Sequence, residues 1–487
     1  MFPNTFRSKR AKLALRFFTY GVMTLATVVL TTLAIFWAMG YRFNNATLEQ
    51  GGLVQFRSTP EGATVVVDGV VQNFKTPGRA NLPSGVHTIV MQLDGNREWR
   101  RTVTVAPGQL LWLNYTRFIP NSVTTAPMKT FAGLSGSLAS PDRRWMLFHE
   151  KADSPIVTIA DFNNEKDPIY NTLTLPDGKV SKTADGKYGL LGMTEWDLGS
   201  RYFLMHQQNG ATHEWLRVDR TKAEDTVNLS QLFKMNITDA HFAGNNPNIL
   251  YVLTDGTLRR LDIGSNSVSA ALVNDVQSFI VYGDGAVSYI AKRRSNPNDA
   301  ATTQQAVGVY KDGKETVVRT YAPEAPVKIA YGKYDTHSFL AIHKGDGIVQ
   351  ILRDPSENSQ ETEFAEFALD KNADWLKMSN NGRMVTAGAG SSVVTFDLEL
   401  NRPYESNLPF LSGSNARPMQ WLDDYYLWSD NGGKLRLVEF DGQNDREITT
   451  VAPGFGITLS QSGKTLFSIG KNEITGSYFL QGSQIVK

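Results

Sequence analysis

Cysteine does not occur among the 487 residues. Its absence excludes disulfides, thiolate metal sites and cysteine nucleophiles together. A surplus of either charge is missing as well: 49 Lys and Arg stand against 48 Asp and Glu, a formal net charge of +1. No global field therefore draws nucleic acid, and Arg259-Arg260 and Arg293-Arg294 are too short for a phosphate-binding stripe. Local catalytic signatures are absent too. There is no His-Glu-x-x-His, no Gly-x-Ser-x-Gly, and no lysine-serine pair of a phosphate loop near Gly308 and Gly313. Asp161-Phe162-Asn163-Asn164-Glu165 starts like a calcium loop but lacks the central glycine and the distal glutamate. Patterns of helical period are few after residue 41, whereas 41 glycines and 20 prolines punctuate short alternating runs. That balance favours an all-β chain of strands joined by tight turns.

One long apolar run is present, and it sits at the start. Residues 1–16 hold Arg7, Lys9, Arg10, Lys12 and Arg16 and no acid, and residues 17–40 hold no charge. At 1.5 Å per residue the run makes about 36 Å of helix, enough to cross a hydrocarbon core of about 30 Å with some tilt. The basic flank predicts a cytoplasmic N-terminus and an extracytoplasmic remainder. A cleaved signal peptide is the competing reading. It fits poorly, because the run is about twice a normal h-region and residues 35–41 are bulky where a small-x-small site is expected. An uncleaved signal anchor is therefore expected, with Trp37 and Tyr41 at the outer interface. Taking the five basic tail residues from +1 leaves −4 beyond them. An exported chain without cysteine fits a prokaryotic source.

Residues 51–118 alternate in period two between turn signals. Strands are expected at 53–58, 63–68, 87–93, 99–105 and 110–115, in a compact antiparallel domain. Pro60-Glu61-Gly62-Ala63 is followed by Val65, Val67, Asp68-Gly69, Thr76-Pro77, Leu82, Gly85, His87 and Ile89. This set resembles the PEGA domain, over about 70 residues. The resemblance implies a small β-sandwich of the adhesive, envelope-associated or spacer kind, without catalysis of its own. Turn geometry accounts for Gly62 and Gly69, and turn and edge positions for Glu61 and Asp68.

Residues 119–137, rich in Ser, Thr, Pro and Gly, read as a linker. From 138 to 487 one phrase repeats: polar turn, apolar strand, second turn, alternating strand. Ser140-Pro141-Asp142-Arg143-Arg144 leads into WMLFH, Asp197-Leu198-Gly199-Ser200-Arg201 into YFLMH, Asn380-Asn381-Gly382 into RMVTAG, and Gln461-Ser462-Gly463 into TLFSIG after Lys464. The intervals run from roughly 38 to 56 residues, mostly near 45, the period of a propeller blade. Eight phrases predict an eight-bladed β-propeller, with seven the alternative; ring closure would hide the sheet edges that a row of sheets leaves open. The turns resemble those of WD40-like or TolB-type propellers, but the Gly-His and Trp-Asp signatures of WD repeats are missing.

No residue qualifies as catalytic, cofactor-binding or metal-binding. His149, His206 and His343 end the same strand of their repeats, the first two on neighbouring blades and the third across the ring, too far apart to share a metal. Trp145, Trp196, Trp215, Trp375, Trp421 and Trp428 recur near blade strands, as packing residues or as recognition anchors on one face. Trp196 and Trp421 precede their turns at matching positions. The expected function is a non-enzymatic, membrane-anchored scaffold, adhesion protein or complex subunit, its propeller binding an envelope protein or glycan. The alternative is a hydrolase or lyase acting on an envelope polymer in the propeller channel. Expected partners are the bilayer through 17–40, an envelope protein or glycan, and a larger complex or a second copy, but no nucleic acid and no cofactor. The helix has no Gly-x-x-x-Gly, only a small-residue face of Ala26, Thr27, Thr31 and Ala34.

Overall fold

A computed structural model describes residues 9–38, 41–44, 47–296, 299–355, 363–413 and 416–486. Contacts divide it into two compact units, meeting in sequence at Asn121 and Ser122.

The first unit begins with a helix, Lys9–Ala38. It starts well inside the basic tail expected at 1–16, because Lys, Arg, Ala and Leu are all strong helix formers. The span apolar enough to cross a membrane is Leu13–Phe36, and none of it is buried against protein. Four of its five threonines satisfy their hydroxyls within the helix. Thr19, Thr24, Thr27 and Thr32 each donate to the carbonyl four residues back, at 2.7–2.9 Å. Tyr41 stands edge-to-face with Phe36 at 5.1 Å. Arg7, the side chains of Lys9, Arg10 and Lys12, the ring of Trp37 and the exit residues Met39 and Gly40 lie outside the described residues.

Beyond a short hairpin, Tyr41–Asn44 with Thr47–Gln50, two sheets face one another. One holds Gly78–Leu82, Gly52–Thr59 and Leu110–Arg117; the other holds Val70–Lys75, Thr64–Val67, Gly85–Gln92 and Trp99–Val105. The period-two patterns are burial patterns: Trp99, Arg101, Val103 and Val105 turn inward while the residues between them are exposed. Val54, Phe56, Ile89, Met91 and Leu113 complete the core. Two expectations need correcting. Gly52–Thr59 pairs with Leu110–Arg117 in parallel, so the domain is not purely antiparallel. Residues 70–82, read as turns, supply two further strands, each held by pairing with a neighbour already in its sheet.

The second unit is an eight-bladed β-propeller: among the described residues it contains eight four-stranded antiparallel sheets. Blades 1 to 7 cover 136–174, 190–228, 239–268, 276–321, 328–368, 375–407 and 420–450. Blade 8 takes three strands from 458–484 and its fourth from Thr124–Phe131. This corrects the expected linker: eight residues within 119–137 are the outer strand of the last blade, paired with Tyr478–Gln484. The closing strand joins the two ends of the ring, and its alternation is broken by a register shift between Pro127 and Lys129.

Apolar clusters fill the gaps between blades. Leu147 and Val157 of blade 1 meet Leu191 and Phe203 of blade 2, and the pattern continues around the ring. Phe131, from the closing strand, packs with Phe148 of blade 1 and with Phe467 and Leu480 of blade 8. Phe162 stacks on Phe467 at 3.9 Å.

In blades 1, 2, 6 and 8 the repeated turn is built the same way. Ser140, Asp197, Ser379 and Ser460 use side-chain oxygens to accept the N–H of the residue five positions on, at 2.6–3.1 Å. The fourth residue of each turn, Arg143, Ser200, Gly382 or Gly463, is left-handed, with φ between 55° and 73°. The arginine that follows in three copies clamps an aspartate at the end of the next strand. Arg144 holds Asp161 at 2.9 and 2.8 Å, Arg201 holds Asp219 at 3.0 and 2.7 Å, and Arg383 holds Asp397 at 2.9 and 2.6 Å. Asp161, the first residue of the imagined calcium loop, is therefore a structural anion. Its pKa is held below the carboxylate range chiefly by the Arg144 hydrogen bonds.

Candidate functional site

The first strands of blades 1 to 4 touch in succession, as do those of blades 5 and 6, so the first strands line the axis of the ring. Counted back from the repeated turn, Glu195, His241, Lys377 and Gln420 share one register position, on blades 2, 3, 6 and 7. Ile280 and Ala330 hold the same position on blades 4 and 5. Polar chemistry is thus concentrated at one level of the channel.

On blades 2 and 3 it forms an ionic trio. Nδ1 of His241 lies 2.8 Å from Oε2 of Glu195, and its Nε2 lies 3.5 Å from Oδ1 of Asp239. The edge of Phe279 closes the other side, at 5.1 Å between ring centres. Burial alone lowers an imidazole pKa. Here the two carboxylates overcome it and push His241 up to about 9. At neutral pH the ring is a cation that ties blade 2 to blade 3.

On blades 4 to 7 the channel wall forms a solvent-open cavity of about 470 Å³ near the repeated turns. Lys377, Gln420, Trp421, Tyr282, Tyr331 and Asn380 are among its lining residues. Nζ of Lys377 donates to Oε1 of Gln420 at 2.5 Å. Burial pushes the ammonium down to about 8, and no carboxylate opposes the shift. Tyr282 and Tyr331 stand edge to face at 5.8 Å. The indole N–H of Trp421 is buried without an acceptor. The wall therefore combines a cation short of acceptors, an amide and aromatic rings, an arrangement suited to binding.

The three strand-end histidines share one register position, yet the structure does not bring them together. His149 bonds the Ser154 carbonyl at 2.7 Å, His206 stacks on His213 with a 2.8 Å contact, and His343 accepts from the Ala373 N–H at 3.2 Å. Among the described residues no three His, Asp or Glu side chains stand close enough to hold a metal. Trp196, Trp215, Trp375 and Trp428 are buried between strands and blades, and Trp145 is sandwiched by Arg144 and Arg220. Trp421 alone of the six lines the cavity. Trp196 and Trp421 do occupy equivalent positions, each the last paired residue before its turn.

Sequence reasoning missed Lys377, Gln420, Tyr282, Tyr331 and the Glu195 partner of His241. None lies in a local motif, because the channel gathers single residues about one repeat apart. A signal existed nonetheless: aligning the repeats on their turns puts charged and amide residues where apolar ones stand on other blades.

In the first unit, Asp68 accepts from Thr88 N at 2.8 Å and contacts Nδ1 of His87 at 2.6 Å, and the His87 bond draws its pKa down. Thr76 fixes the Pro60–Ala63 corner by bonding Ser58 Oγ at 2.6 Å and the Ala63 N–H at 2.9 Å. These conspicuous polar residues hold turns together.

Residues 52–117 match the family model described as PEGA domain. Among solved structures, the β-propeller domain of Cps50 (Swd1) from Myceliophteria thermophila is similar at 12% identity and a TM-score of 0.39, covering 74% of this chain and 99% of that one. The Dos1 propeller is similar at 12% identity and a TM-score of 0.44, covering 74% and 95%. No curated protein matches the chain.

Proposed function

We propose that this protein is a single-pass, membrane-anchored binding protein whose propeller faces the extracytoplasmic side and engages a protein or glycan of the cell envelope, without an enzymatic activity of its own. One observation carries the reading. A helix whose apolar span, Leu13–Phe36, buries nothing against protein shares a chain with a ring whose channel wall carries an open cavity lined by polar and aromatic side chains. A bare apolar helix needs an apolar solvent, and a cavity with unmet donors needs a ligand. The PEGA-type domain lies between them in sequence and acts as a spacer. The bulky exit from the apolar run supports an anchor over a cleaved signal.

Photo-crosslinking from the channel mouth tests the binding role. An aryl azide on a cysteine introduced at Leu198, exposed in the repeated turn of blade 2 and outside the cavity lining, should capture one discrete envelope component in intact cells. Capture of nothing, with the protein abundant and folded, would sink the proposal.

The Glu195–His241–Asp239 trio favours a second reading, a channel hydrolase or lyase acting on an envelope polymer, since two acids and an imidazole meet on inner strands. Against it, both carboxylates are committed to a charged imidazole. Polymer turnover abolished by Glu195→Gln would establish that reading.

A further inference from the structure

A cation taken out of water is unfavourable unless an anion accompanies it; Arg217, buried against the Pro247 carbonyl and the Asn248 amide, is one exception in this ring, but several cations obey the rule. Arg144, Arg201 and Arg383 each grip an aspartate. Lys333, on blade 5, is paired with Asp284 at 3.0 Å. Lys377 departs from this. It lines the channel cavity, its one hydrogen bond goes to a neutral amide, and no carboxylate lines the same wall. The other titratable side chains among the lining residues are the phenols of Tyr282 and Tyr331. Gln420 satisfies one of three ammonium N–H groups, so two remain for a ligand.

The rest of the wall limits what that ligand is. A volume of about 470 Å³ falls within the usual range for small-molecule sites. The cavity is formed by the inner strands and turns of four blades and opens to solvent, so a terminal or side-chain group of a larger molecule can enter it. The rings of Trp421 and Tyr282 offer apolar surface to the C–H face of a saturated ring, and Asn380 offers an amide to hydroxyl groups. A single cation matches a monoanion better than a phosphate dianion.

We propose that the cavity between blades 4 and 7 binds a carboxylate carried on a sugar ring, a hexuronic acid, with the Lys377 ammonium as counter-ion and Trp421 as the stacking surface. The inference rests on the binding reading of the propeller and narrows it to an acidic glycan unit.

Calorimetric titration of the full chain in lipid nanodiscs tests it, with D-glucuronate, D-glucose and a short glutamate-rich peptide as probes. Glucuronate should bind saturably and about tenfold tighter than glucose. Lys377→Met should abolish that preference while Lys377→Arg keeps most of it. The preference should fade as pH rises through about 8, where Lys377 loses its proton. Asn380→Ala, a milder change at the mouth, should weaken glucuronate and glucose alike. Equal affinity for the two sugars, a Lys377→Met protein with unchanged glucuronate binding, or binding of the peptide alone would overturn the proposal. Those outcomes leave the binding role itself standing if the crosslink at Leu198 still captures an envelope component.

Discussion

Lys377 and His241 occupy equivalent positions on their blades, and their environments move them in opposite directions. For Lys377 the folded pKa, about 8, lies below the ordinary 10.5. The folded state therefore carries a burial penalty at every pH below about 8, relieved as pH rises from there to 10.5. Lys377→Met should raise the melting temperature at pH 7, and the gain should shrink above pH 8; a loss of stability at pH 7 would show that the ammonium is paired after all. For His241 the folded pKa, about 9, lies above 6.5. Its contribution is fully present below pH 6.5 and is lost as pH rises through about 9. His241→Gln should cost about 1 kcal/mol at pH 6, as for a partly solvated ion pair, and nothing at pH 10. Thermal melts of both proteins across that range check the sign. Neither residue was legible as a site, because a lone Lys or His on an apolar-looking strand acquires its meaning only from neighbours one repeat away.

Among elements, the repeated turn was the most legible feature, since Ser or Asp at its start and Gly near its end are required by hydrogen bonding and by left-handed backbone. Gly382 and Gly463 separate these two demands. Both have φ near 72°, but a Cβ on Gly463 meets open space, whereas on Gly382 it falls 2.0 Å from the Lys333 carbonyl of the next blade. Gly463→Ala should cost only backbone strain, about 1–2 kcal/mol, and Gly382→Ala clearly more. Denaturant melts showing equal costs would mean that the blade contact relaxes freely. The arginine clamp makes a similar contrast. Arg383→Met strands the fully buried Asp397 and should cost about 3–5 kcal/mol, while Arg144→Met, beside the more accessible Asp161, should cost less. The closing strand 124–131 was illegible for a physical reason. Its composition is that of a linker, with Thr124, Thr125, Ala126 and Pro127, and its partner lies some 350 residues away. Phe131 shows that it is structural: it is 2% exposed within the blade 8 and blade 1 core, and Phe131→Ala should cost about 3–5 kcal/mol.

For the whole molecule, the sequence carried the architecture further than the chemistry. Period and turn spacing are properties of every blade and accumulate over eight copies, so the ring was legible and its count came out at eight. The PEGA-type corner was legible because Pro60, Glu61, Gly62, Asp68 and Thr76 are each demanded by a turn. The channel was not, since it exists only once the ring closes. Closure also bears on assembly: the ring leaves only the short outer edge of each blade to recruit strands, so contacts with other chains fall chiefly to its faces. The proposed complex should migrate well above one 54.0 kDa chain on blue-native gels of gentle detergent extracts; a lone chain would contradict it. The central claim, a propeller held outside the membrane by an uncleaved anchor, meets its most direct test through the missing cysteines. Ile474, 96% exposed on the propeller, can be made the only thiol by Ile474→Cys. A membrane-impermeant maleimide applied to intact spheroplasts should label the full-length chain, and the label should stay with the membranes through alkaline extraction. Labelling that requires lysis, or a labelled chain that is shortened and soluble, would contradict the account.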